Sequence, residues 1–187
     1  MDVSKLSEPL TVDQIDFRIQ SINKGGYATI LAYKDARVDM QRLDDVFTPF
    51  GWQRRHCREN HNCVVSIRDP STGEWVSKED TGTESNTEQQ KGLASDSFKR
   101  ACFNLGIGRE LYDYPVIQVK LHGDGTAKSD EWIKDGKNSR PQQTWNLKLK
   151  EWIWYSEFTD GRISFLAAKD VNGIRFKWGT MKDAVSE

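Results

Sequence analysis

The stretch SDSFKRACFNLGIGRELYD, residues 95–113, sets an adjacent lysine and arginine on a helix that stops at two glycines. At about 100° per residue, Phe98, Ala101, Cys102 and Leu105 fall within one apolar stripe, the face that such a helix buries. Lys99 and Arg100 flank that stripe at its edges, and Gly106 and Gly108 supply the left-handed backbone that closes the helix. Spacing alone admits two readings of the pair. In one, Arg100 pairs with Asp96 a turn earlier and Lys99 is solvated; in the other, both grip phosphates.

Upstream of this helix, residues 52–58, 63–69 and 75–84 read as strands, the last two joined by a turn of Pro70, Ser71, Thr72 and Gly73. Such short connections predict an antiparallel meander. Asn86 is then the N-cap of a long helix over about 87–105, in which Gly92 lowers propensity without breaking it. Earlier still, Ala36, Met40, Leu43 and Phe47 recur at close to helical period until Pro49 and Gly51, and 27–33 is a strand rich in aromatic and β-branched residues. Residues 12–23 are predicted to form a first helix, with Thr11 as N-cap, Gln14 placed for a capping box, Ile15, Ile19 and Ile22 on one face, and Gly25 or Gly26 at its end.

Downstream, residues 122–143 are dense in Gly, Asp, Lys, Ser and Asn, with Trp132 and Ile133 as the large apolar anchors. Strand patterns return over 145–178, punctuated by a Thr-Asp-Gly turn at 159–161 and an Asn-Gly turn at 172–173. The expected fold class is therefore α+β: an antiparallel β-meander (a β-β-β-α core) packed by one long helix, with a C-terminal β-hairpin appendage. The expected domains are a core over 1–121, a flexible connection over 122–144 and the hairpin appendage over 145–187.

With 27 basic and 28 acidic side chains in 187 residues, the net charge is −1, so any nucleic-acid site must be a local patch or one made by combining subunits. Three cysteines argue against a disulfide framework and for a reducing compartment. The opening MDVSKLSEPL lacks an apolar signal region, and no stretch reaches membrane-spanning length, so a cytoplasmic protein with no membrane partner is expected. No G-x-x-x-x-G-K-[ST] loop is present for an ATP-driven motor. Gly106-Ile107-Gly108 follows a helix instead of opening one, unlike a dinucleotide fingerprint. His56, Cys57, His61 and Cys63 are zinc-ligand types without a C-x-x-C pair, and read as ordinary residues of a hairpin. Asp44-Asp45 and Glu79-Asp80 are carboxylate pairs of the kind that hold magnesium in a nuclease, against the plainer reading of a solvated helix face and a strand end. No cofactor or metal is expected.

The run through Asp96, Lys99, Arg100, Ala101, Gly106, Gly108, Leu111, Tyr112 and Asp113 resembles the signature helix of the Rad-fifty-two type single-strand annealing proteins, most closely their bacterial and phage branch. YKDARVDMQRLDDVFTPFGW at 33–52 and KEDTG at 78–82 resemble further family segments, so the likeness covers roughly 15–120. It implies that Lys99 and Arg100 face a groove holding the backbone of single-stranded DNA, that Lys24 stands near a DNA-contacting arginine, and that Tyr33 falls on a tyrosine near the DNA, a core role being the alternative. Where eukaryotic members tend to carry a further basic residue, this chain has Phe103. Arg54 and Arg55, adjacent in a strand, lie one on each face; one reaches a second strand, or both are solvated charges.

The function implied is ATP-independent single-stranded DNA binding and annealing of complementary strands in homologous recombination and DNA repair, by an oligomeric ring or arc without enzymatic chemistry. Implied partners are single-stranded DNA, further copies of the chain, and a host or phage single-strand-binding protein or exonuclease, at the nucleoid of a bacterial host cell. Two alternatives remain. A protective single-strand binder without annealing activity would show aromatic platforms, but five of the seven tryptophans fall from Trp132 onward, outside the stretch that carries the resemblance. A metal-dependent nuclease is the other.

Overall fold

The computed structural model describes residues 2–82 and 89–181, and the side chains of all of these except 89–91. In chain order the elements are β1 (Asp16–Ile22), β2 (Tyr27–Tyr33), α1 (Ala36–Phe47), β3 (Trp52–His56), β4 (Cys63–Arg68), β5 (Trp75–Asp80), α2 (Gln89–Asn104), β6 (Ile117–Lys120), β7 (Trp132–Ile133), β8 (Gln142–Gln143), β9 (Ile153–Thr159), β10 (Arg162–Asp170) and β11 (Gly173–Gly179), with short 3-10 turns between some of them. Every described strand pairing is antiparallel, and the class is α+β. Contacts divide the chain into two compact units: residues up to 10 with 34–112, and 11–33 with 113 onward.

In the first unit the meander runs β3-β4-β5 and α2 packs across β4 and β5. Alternation along β4 turns Cys63 and Val65 inward, where they are buried against Phe98, Ala101 and Cys102 of α2 and Leu43, Val46 and Phe47 of α1. Burying these side chains is what holds the helix to the sheet. Asp35 caps α1 by accepting the Arg37 amide at 2.8 Å, and Thr48, at φ 61°, ends it. Asp69 closes the β4–β5 turn, accepting from the Ser71 amide and hydroxyl at 2.8 and 2.7 Å. The expected N-cap, Asn86, lies outside the described residues.

The second unit holds two three-stranded sheets, β1-β2-β6 and β9-β10-β11, and Ile30, Ile117 and Val119 from the first share one core with Leu149, Trp152, Ile163 and Leu166 of the C-terminal segment. The Asp160-Gly161 turn has both φ values positive, 51° and 74°, which matches the right-handed twist of β9 and β10. Between 122 and 144, polar groups organise the path: the Asp130 carboxylate accepts from the amides of Gly125, Thr126 and Ala127, and Trp132, 1% exposed, packs with Ile22, Ala28 and Leu121.

One expectation is overturned: residues 12–23 are not a helix. Val12–Gln14 is a single 3-10 turn, in which the Gln14 side chain does accept the Thr11 amide at 3.1 Å, and β1 follows. The register passes from Ile19↔Ile30 to Ser21↔Thr29, so Gln20 is an extra residue in a β-bulge. A bulge reverses the parity of alternation. Ile15, Ile19 and Ile22, four and three residues apart, thereby mimic a helical stripe, although Ile19 and Ile22 lie in β1 and Ile15 just before it. Among the described residues no helix is long and apolar enough to cross a membrane.

Candidate nucleic-acid interface

On α2 the buried stripe separates the two cations. Lys99 lies on the α1 side, close enough to Asp39 to favour that carboxylate's charged form. Arg100 lies on the β5 side, where its Nε donates to Asp80 Oδ1 at 3.2 Å. Arg100 thus has an ion pair that runs across to the strand end. Asn104, one turn on, also reaches Asp80, at 3.2 Å. Lys99 makes no hydrogen bond or ion pair among the described residues, and both cations are half-buried.

The turn just beyond these cations is fixed from beneath. Lys34 and Asp39, 2% and 0% exposed, form a buried ion pair, and Lys34 Nζ also donates to the Ile107 carbonyl at 2.8 Å and sits 4.2 Å from the centroid of the Phe103 ring. Burial pushes Asp39 up to about 6, with Lys34 opposing the shift, and burial lowers Lys34 despite Asp39. Burial likewise pushes the thiol of Cys63 up to about 11 and that of Cys102 upward, so both are inert packing groups. Gly108 has φ +70°, and a Cβ there would meet Lys34 Cδ at 2.9 Å. Arg109 donates to the Phe103 carbonyl from Nε and Nη2 at 3.1 and 2.9 Å, satisfying acceptors that the helix end leaves open. The Glu110 carboxylate accepts the Leu10 amide at 2.6 Å. These contacts tie the end of α2 to Lys34 and to the N-terminal segment at Leu10.

Lys34 and Arg109 lie in the stretches quoted above but are not among the candidate contacts. A basic residue just past a helix-ending glycine is a legible C-cap signal and marks Arg109. Nothing local marks Lys34, whose partner five residues on lies across a strand-to-helix junction.

Strand alternation divides Arg54 and Arg55 as expected. Arg54 pairs with buried Val65 and places its guanidinium 4.9 Å from the Phe98 ring, on the helix-facing side, while Arg55 pairs with Val64 on the other face. Arg54, Lys99 and Arg100 therefore share the α2 side of the first unit. Lys24 and Tyr33 belong to the second unit. Lys24 is exposed in the β1–β2 turn, where Asn23 Oδ1 accepts from the Gly25 and Tyr27 amides at 2.9 and 3.0 Å. Tyr33, half-buried at the end of β2, has the Arg18 guanidinium 5.3 Å from its ring.

Among the described residues no group of three His, Cys, Asp or Glu side chains converges as metal ligands would. The acidic pairs have other partners: Asp44 accepts the Trp52 indole N–H at 2.7 Å, and Glu79 accepts the Asn62 amide at 2.8 Å.

The chain is similar to the single-stranded DNA-binding protein DdrA of Deinococcus radiodurans, 33% identical over 118 residues that make up 61% of this chain and 56% of that protein. It is also similar to the DdrA of Deinococcus deserti, 34% identical over 118 residues, 61% of this chain and 58% of the relative. The chain thus spans little more than half the length of the curated relatives it matches. No protein-family model and no solved structure matches it.

Proposed function

We propose that this chain binds single-stranded DNA and anneals complementary strands without ATP, as an oligomeric ring or arc serving recombination and repair. The observation that carries the reading is the pair Lys99 and Arg100, held at the two edges of a helix whose end is clamped by Lys34, Asp39 and Arg109. Similarity to proteins named for single-stranded DNA binding supports it. Lys99 and Arg100 contact phosphates, Arg100 able to do so bidentately once it leaves Asp80. Arg54 extends the same side, with Arg55 on the opposite face of the sheet; Lys24 and Tyr33 add contacts from the second unit. With its phosphates held, the bound strand presents base edges to a second strand, and stacking of about 1.4 kcal/mol per base-pair step drives pairing. The protein contributes alignment and relief of backbone repulsion.

The test is oligonucleotide binding by fluorescence anisotropy together with the rate of pairing of two complementary oligonucleotides. Replacing both Lys99 and Arg100 by Gln removes two phosphate contacts, which lowers affinity by roughly tenfold or more at 0.1 M salt. It also slows pairing. Asp80→Asn, which frees Arg100 from a half-buried surface ion pair worth up to about 1 kcal/mol, tightens binding by up to about fivefold. Unchanged affinity and pairing rate in a folded Lys99→Gln/Arg100→Gln chain overturn the proposal. Tight binding with inhibition of pairing by the unaltered protein instead makes it a protective binder.

A further inference from the structure

A cleft follows the open edge of β1 in the second unit, outside the residues assigned to the helix site. It consists of two adjoining hollows, about 490 and 460 Å³ in volume, which share Phe17, Tyr33, Leu149 and Lys150. Volumes of this size accept small ligands or segments of a chain. Its floor is aromatic: the rings of Phe17 and Trp154 stack with centroids 3.6 Å apart and planes within 2°. The rim is of another kind. Trp145 is 78% exposed, with Lys148 Nζ 5.4 Å from its ring, and Arg18 reaches over Tyr33. Lys148 and Lys150 are exposed, so their ammonium groups are at the disposal of a ligand.

Two features decide what such a cleft takes. An indole left this exposed does nothing for the core, which is built from Trp152 and Trp154 nearby. Arg18, Lys148 and Lys150 outnumber the carboxylates of Asp16 and Glu151 on the same lining, giving a locally positive rim on a chain of net charge −1. Flat aromatic surfaces interleaved with cations on long stems suit a flexible polyanion with planar groups, because every base offers a π-face and every linkage a phosphate.

We propose that this cleft is a second contact for single-stranded DNA, in which a base stacks on Trp145, the flanking phosphates meet Lys148 and Lys150, and the strand passes Tyr33 and Arg18. The inference rests on the reading of the chain as a single-stranded DNA binder and assigns to it a site contributed by the C-terminal segment. Trp145 and the two lysines are thereby given a role that the helix site leaves open.

The experiment uses the full chain and two fluorescent probes: an oligothymidylate and an oligonucleotide of the same length carrying abasic sites. Trp145→Ala is expected to weaken oligothymidylate binding about tenfold and Trp145→Phe to restore most of it, while the abasic probe is insensitive to either change. Lys148→Gln with Lys150→Gln is expected to weaken both probes. Because these side chains are exposed, thermal melting of the variants should match the unaltered chain. Full oligothymidylate affinity in a folded Trp145→Ala chain overturns the proposal, as does equal weakening of both probes. Failure here and failure of the helix site are distinct outcomes. Sensitivity to Lys99→Gln/Arg100→Gln alone leaves strand binding standing without this cleft; sensitivity to Trp145→Ala alone leaves the cleft as the strand contact without the helix site; insensitivity to both removes both.

Discussion

Asp39 lies at the centre of the residues that seat α2. Its pKa rises on folding from 3.8 to about 6 because burial disfavours the carboxylate more than Lys34 favours it. An acid raised in this way holds its proton more firmly in the folded chain than in the unfolded one between those two values. The stability it contributes is full below the unfolded value and is lost as pH rises through about 6. Two pKa units correspond to about 3 kcal/mol as an upper bound. The Asp39→Asn chain, which mimics the protonated acid, is thus expected to be no less stable than the unaltered chain at pH 7, with the difference closing as pH falls to 4. Urea midpoints of the two proteins across that range measure it, and an unaltered chain that gains on the variant as pH rises contradicts it. The pair also holds the Ile107 carbonyl and Phe103 in place. At this scale Lys99 and Arg100 were legible, because helical spacing alone sets them at the edges of the apolar stripe. Their environment was not. Arg100 finds Asp80 twenty residues back, and Lys34 finds Asp39 across a change of secondary structure, and no local period encodes either partner.

Elements were read best where one period ran without interruption. α1 is legible from its helical repeat and the meander strands from the turns between them, whereas the bulge at Gln20 makes β1 look helical. Gly82 shows how closely the elements of the first unit approach: a Cβ there would meet the Leu93 carbonyl oxygen at 2.5 Å and the Ser97 amide nitrogen at 2.7 Å. Both are backbone atoms of α2 and cannot swing aside. Gly82→Ala must push the end of β5, and Asp80 with it, away from the helix, at a cost of about 1–3 kcal/mol. For a chain of this size that is a fall in melting temperature of roughly 3–10 °C. Gly161→Ala is the control, since its Cβ would meet nothing within 4 Å and only the φ of +74° opposes it. Its cost is about 1 kcal/mol. A Gly82→Ala protein that melts with the unaltered chain would show that β5 does not end against α2.

For the whole molecule the decisive quantity is charge. The C-terminal strands were legible as strands from their turns, but their packing against Ile30, Ile117 and Val119 joins positions more than 100 residues apart in the case of Ile30 and could not be read from any local pattern. The net charge of −1 is likewise plain in the composition, while its consequence depends on assembly. The three cations on the α2 side alone, Lys99, Arg100 and Arg54, would give a slope of log affinity against log salt near −2, since each phosphate on a single strand contributes about −0.7. A lone protomer of slightly acidic charge would bind weakly at physiological salt. Joining copies in a ring or arc makes each further contact intramolecular and adds its slope to the others. The expected outcome is a salt dependence several times steeper than −2, with a bound length that grows with subunit number. Sedimentation velocity alongside anisotropy titrations at several salt concentrations measures both. If the bound species sediments as a monomer with a slope near −2, the assembly is not part of how this protein holds a strand, and any annealing it performs must proceed one protomer at a time.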